Sequence, residues 1–159
     1  YPGGPQIDRF ATKGDPESLH YPRAYLEEDS YDFSFSGLKS SVLNYLNQAK
    51  MKNEEINIPN IAASFQEAVT EVLVEKTIKA AKDKKVSKIA MAGGVAANQG
   101  LRKKMQKRCK EEGLQVQYPS LILCTDNAAM IGSAAYYEYK KGIRHQWDLN
   151  AIPGLKLGQ

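Results

Sequence analysis

Cysteine and histidine are both scarce, two residues of each in 159. Cys109 and Cys124 form no CxxC pair and have no neighbouring histidine. That pattern argues against a zinc site and a disulfide scaffold, and fits a reducing compartment. His20 and His145 stand in no HExxH motif, so a metalloendopeptidase would lack its zinc ligands and general base. No Ser-His-Asp order is visible either. No apolar run reaches transmembrane length and no stretch reads as a signal peptide, which leads us to expect a cytoplasmic protein without a membrane partner. Internal repeats and low-complexity tracts are absent. The first residue is not Met: the chain opens on the turn-forming run Tyr1-Pro2-Gly3-Gly4-Pro5, and we expect it to be a piece of something longer.

What is present suits one ordinary folded domain. The apolar share is 42% and the charged share 25%, enough for a sizeable core. The net charge of +4 permits a nucleic-acid partner without requiring one.

Patterning divides the chain into a loop-rich and helical part (1–85), an alternating core (86–145) and a tail (146–159). Residues 1–35 carry Pro2, Pro5, Pro16 and Pro22, with a helical turn expected around Ile7–Lys13. Ser36–Ala49 reads as a helix with Leu38, Val42, Leu43 and Leu46 on one side. Pro59 is a plausible opener for the strongest helix, Asn60 to about Lys82, where Ile61, Phe65, Ala68, Val69, Val72 and Leu73 keep helical period. Then come a strand at Lys88–Ala92, a helix at Asn98–Glu112, a strand at Gln115–Tyr118 and a helix at Asn127–Lys141. Two β-α units in series predict parallel strands, with ligands at their carboxyl ends. Two strands are few for such a sheet, which suggests further strands in a longer chain or in a partner.

The most informative stretch is Gly93-Gly94-Val95-Ala96-Ala97-Asn98, where a strand ends in two glycines and hands over to a helix N-terminus. Glycines admit close backbone approach, and the free N–H groups favour an anion such as a phosphate. A tight connection with no ligand fits the same pattern. In Cys124-Thr125-Asp126-Asn127-Ala128-Ala129-Met130, Thr125 or Asp126 reads as a helix cap, or Asp126 as a metal ligand at a strand's carboxyl end; pattern alone favours the cap. In Asp32-Phe33-Ser34-Phe35-Ser36-Gly37-Leu38-Lys39, two buried phenylalanines and a Ser36 cap are expected, with Lys39 in the first helical turn. Arg102, Lys103, Lys104, Lys107, Arg108 and Lys110 crowd one helix around a narrow stripe of Leu101, Met105 and Cys109. They read as a solvated face, or else as a patch for a nucleic-acid backbone, which the family resemblance below would make that of tRNA.

Tyr1-Pro2-Gly3-Gly4-Pro5-Gln6-Ile7-Asp8, Phe33-Ser34-Phe35-Ser36-Gly37-Leu38-Lys39, the Gly93–Asn98 turn and Cys124–Ile131 occur together and in order. In combination they resemble the C-terminal half of the TsaD (Gcp, YgjD) family, the tRNA threonylcarbamoyladenosine enzymes once labelled glycoprotein endopeptidases. The resemblance covers essentially the whole chain. It implies an α/β, helix-rich, partial ribonuclease-H-like lobe of the actin, Hsp70 and sugar-kinase (ASKHA) fold, with a short parallel sheet. It implies transfer of a threonylcarbamoyl group from threonylcarbamoyl-AMP to the N6 amine of the adenosine beside the anticodon. It also implies that Gly4 and Asp8 meet the ribose or threonylcarbamoyl-AMP, that Asn98 meets the adenosine, with Gly93 and Gly94 as candidates beside it, and that Asp126 is a metal ligand. ATP or AMP, tRNA, a TsaB-like paralogue and a TsaE-like ATPase are the partners it implies. The metal would be divalent, iron or zinc, or magnesium with nucleotide, shared with histidines of an N-terminal half.

That half's HxxxH motif is not in this sequence, so one lobe alone is expected to be catalytically incompetent and a poor metal binder. Two other readings remain: a metalloendopeptidase, and a non-catalytic interaction module that offers its sheet edge or the Asn60–Lys82 helix to a partner or to a second copy.

Overall fold

The longest helix organises the rest. In the computed structural model, which describes residues 2–24 and 30–156, α3 runs Ile58–Asp83. Asn57 caps it by accepting the Asn60 N–H, and Pro59 sits in its first turn, where its missing N–H leaves nothing unsatisfied. Its buried residues lie on more than one side: Ala62, Ala63, Ala68, Val72, Val74, Ile78 and Ala81. A helix buried all round is an interior element. The expected exposure of this helix to a partner is therefore corrected: α3 is the core of its own unit. Among the described residues no helix is long and apolar enough to cross a membrane.

Helix α1 covers Gly3–Ala11, where the sequence suggests only a turn at 7–13. Pro5 falls in its first turn, so the Pro-Gly-Gly-Pro run opens a helix rather than a rigid loop. Gly14 then lets the chain meet α3 closely: a Cβ there would lie 2.0 Å from the Pro59 carbonyl oxygen. Asn60 Oδ1 accepts the Asp15 N–H at 3.0 Å, and Ser64 Oγ accepts the Leu19 N–H at 3.1 Å.

Helix α2, Ser36–Lys52, starts as expected and runs three residues past Ala49. Ser36 is not its cap. Phe35 takes the capping position without a side-chain bond, and Ser36 is already helical. The two phenylalanines are not buried either: Phe33 is 46% and Phe35 36% exposed, stacked with ring centroids 6.4 Å apart. No strand forms at this segment; it is irregular, and Lys39 beyond it is exposed. Leu38 joins Tyr21 and Ala68 in a small core cluster.

Strands β1 (Lys88–Ala90) and β2 (Gln115–Gln117) pair in parallel, Ile89 opposite Val116. Between them lie a 3-10 turn at Gly94–Ala97 and helix α4, Gln99–Glu111. The main core joins Val74, Ile78 and Ala81 of α3 to Ile89 and to the expected stripe of Leu101, Met105 and Cys109 on α4. Leu121–Leu123 forms a second 3-10 turn, and α5 covers Ala128–Lys140. The chain divides into two compact units between Thr125 and Asp126.

Candidate nucleotide-binding turn

Strand β1 ends at Ala90, short of the expected Ala92, and the turn proper begins at Gly93. Gly93 has φ +84°, a conformation that L side chains rarely adopt, so glycine is required here. A Cβ at Gly93 or Gly94 would meet no atom within 4 Å, so the backbone is open to approach from outside. The Ala96 N–H closes on the Gly93 carbonyl at 3.0 Å, and the Asn98 N–H on the Val95 carbonyl at 3.0 Å. A 3-10 turn that begins at Gly94 thus lies between β1 and α4, in place of the expected direct strand-to-helix handover.

Asn98 caps α4. Its Oδ1 accepts the Leu101 N–H at 2.7 Å, and its Nδ2 donates to Gln66 Oε1 at 2.7 Å. Asp8 reaches the same helix end from α1: its Oδ2 accepts the Gln99 N–H at 3.0 Å. The other oxygen, Oδ1, is buried without a hydrogen-bond partner among the described residues. Two of the expected site residues, 90 positions apart, therefore meet at one helix N-terminus, where the dipole favours negative charge. Gly4 lies one turn before Asp8 on α1, exposed, with open space where a Cβ would be.

Arg102 ties the turn to the loop after β2. Its guanidinium donates to the carbonyls of Ala96 and Pro119, the latter at 2.9 Å, contacts Cys124 Sγ at 3.1 Å and lies 4.3 Å from the Tyr118 ring centroid. Lys104 pairs with Glu67, and Arg108 with Glu75, Glu111 and Glu112. Glu75 foremost, then Glu111, hold the Arg108 guanidinium firmly charged. Three of the six basic residues of α4 thus serve structural contacts, leaving Lys103, Lys107 and Lys110 exposed. Burial pushes the Cys109 thiol up against an opposing pull from Arg108, and Cys124 is equally buried, so neither is placed as a nucleophile.

Asp126 belongs to the second unit, where it is exposed. The cap of α5 is neither Thr125 nor Asp126: Asn127 Oδ1 accepts the Met130 N–H at 3.2 Å. Among the described residues no group of three His, Cys, Asp or Glu side chains could hold a metal. A single carboxylate does not meet the coordination needs of a divalent ion. His145 stands 3.7 Å from Glu138, a surface pair.

Gln66, Gly100 and the inward role of Arg102 have no counterpart in the reading of the sequence. A signal for Gln66 existed: it is a polar residue on the same stripe of α3 as the buried Ala62, Ala63 and Thr70.

Fold and site define a helix-rich α/β protein with a glycine turn and a doubly capped helix N-terminus beyond a parallel strand. Its residues 1–133 match the TsaD family, tRNA N6-adenosine threonylcarbamoyltransferase, and the chain belongs to that family. The tRNA N6-adenosine threonylcarbamoyltransferase of Clostridioides difficile (strain 630) is 61% identical over 159 residues, 100% of this chain and 47% of that protein. Its counterpart from Clostridium botulinum (strain 657 / Type Ba4) is 59% identical over the same spans. The chain covers about half the length of these curated relatives. Among solved structures, the crystal structure of T. kodakarensis HypF aligns over 89% of this chain and 18% of that one, with a TM-score of 0.62 and 23% identity, a likeness of fold.

Proposed function

We propose that this chain forms part of the nucleotide-binding lobe of an enzyme that synthesises threonylcarbamoyladenosine in tRNA. Supporting the reading, Asp8 and Asn98 converge on the N-terminus of α4 beside the open Gly93-Gly94 backbone. In this reading the adenosine part of threonylcarbamoyl-AMP, ATP or AMP lies against Asn98, while Gly4 and Asp8 meet the ribose. The lobe would be one half of an ASKHA-type, ribonuclease-H-like pair, working in the cytoplasm.

The reaction needs no protein nucleophile. The N6 amine of the tRNA adenosine attacks the carbonyl carbon of the mixed anhydride, the bond to AMP breaks, and the amine gives up a proton. Positioning of amine and carbonyl then carries much of the catalysis. Asp126 is proposed only as one carboxylate toward a divalent ion such as iron, zinc or magnesium, whose other donors lie outside this chain. The exposed Lys103, Lys107 and Lys110 offer a modest basic face to the tRNA backbone. A TsaB-like paralogue, a TsaE-like ATPase and a second copy of the chain are further candidate partners.

Calorimetric titration of the chain with AMP and ATP, beside Asn98→Ala, tests the reading. Binding that the substitution abolishes supports it. Binding that is unchanged in Asn98→Ala moves the nucleotide away from this turn.

A further inference from the structure

We infer that Gln66 is a positioning residue that takes one proton of the Asn98 side-chain amide and so holds the other toward the ligand, whose facing atom is then an acceptor. This role deepens the nucleotide reading of Asn98 and rests on it.

One backbone group fixes the arrangement. The Leu101 N–H can only donate, so the Asn98 atom 2.7 Å from it must be the oxygen. The amide nitrogen is then forced to the other side, where it donates to Gln66 at 2.7 Å. The Gln66 atom facing it must in turn be its oxygen, which turns Gln66 Nε2 toward Gly100. Two amides are thereby ordered by a single helical N–H. One Nδ2 proton of Asn98 has no partner among the described residues, and Asn98 is half-buried at the end of the open glycine turn. Without Gln66, the amide would keep its cap and its sense but lose the second contact that restrains its plane. A purine ring nitrogen or a ribose oxygen satisfies the remaining proton.

Gly100 belongs to the same device. A Cβ at 100 would lie 2.5 Å from Gln66 Nε2, 3.1 Å from Gln66 Cδ and 3.3 Å from Asn98 Oδ1, so an alanine would displace the flexible Gln66 side chain and also press on Asn98 itself. Alanine is also the better helix former, so Gly100→Ala disturbs Gln66 while favouring α4 itself.

The test follows two readouts in the intact chain, the Asn98 side-chain amide signal by NMR and the affinity for AMP by calorimetry. Gln66→Met removes the carbonyl acceptor at similar length, and Gln66→Glu keeps an acceptor. The expected result is an Asn98 amide signal that moves in Gln66→Met, with AMP affinity lowered about three- to tenfold. Gln66→Glu should restore most of both, which a purely space-filling role would not do. An Asn98 amide signal unmoved in Gln66→Met overturns the positioning role, whatever the affinity. Affinity for AMP unchanged in Asn98→Ala, with the amide signal still responding to Gln66, overturns the nucleotide reading instead.

Discussion

Helices α4 and α5 have equal length, 13 residues each, and opposite fates. Helix α4 is the more polar, with five Lys or Arg between Arg102 and Arg108, yet Leu101, Met105 and Cys109 are buried to within a few per cent. Helix α5 reads Ala-Ala-Met-Ile-Gly-Ser-Ala-Ala-Tyr-Tyr-Glu-Tyr-Lys, far more apolar, and none of its residues is buried. Beyond it Trp147, Leu149, Ile152 and Leu155 are exposed as well. Burial follows the presence of a facing partner, here α3 and β1, rather than the apolarity of the helix that is buried. A narrow stripe that meets a complementary surface within its own unit removes its area from water, however polar the rest of the helix is.

Several substitutions sharpen that contrast, in falling order of effect. Ile78→Ala, in the core shared by α3, β1 and α4, should lower unfolding free energy by about 2–4 kcal/mol, read from the denaturant midpoint. Arg102→Ala strips the carbonyls of Ala96 and Pro119 of their donor and should cost about 2 kcal/mol in the same assay. Its loss should also speed amide exchange in the Gly93–Ala97 turn. Asn98→Ala removes the α4 cap and should cost about 1 kcal/mol.

A smaller effect comes from acid. The Lys82 ammonium, and secondarily Arg108, hold the Glu112 carboxyl below its ordinary 4.5. Lys79, and then Tyr31, do the same for Asp83 below 3.8. A carboxylate depressed by folding stabilises above its unfolded value and loses that contribution as pH falls through the folded one. Thermal midpoints should therefore decline below about pH 4.5, less steeply in Glu112→Gln and less steeply in high salt. Last, Ile131→Ala on the exposed α5 should change stability by no more than about 0.5 kcal/mol. A loss comparable to that of Ile78→Ala would remove the contrast between the two helices.

Much of this fold was legible because its signals are local. The stripe of α4, the period of α3 and the parallel strand order follow from residue spacing, and their ends agree with the structure within a few positions. Misreadings arose where two local signals competed. Pro2–Pro5 reads as a turn, but prolines also suit a first helical turn, and α1 forms. Ser36 and Asp126 look like caps, but Phe35 and Asn127 occupy those positions.

The sequence by itself determined helices α2 to α5, the strand pair, the glycine turn and the family, since each rests on short-range spacing or on ordered motifs. Only the tertiary structure decided that Asp8 reaches the Gln99 N–H, that Asn98 meets Gln66 and that Arg102 joins two loops. Those contacts link residues 91, 32 and 17 positions apart. No local propensity encodes such distances; they exist because α1, α3 and α4 pack against one another and leave buried polar groups that must find partners.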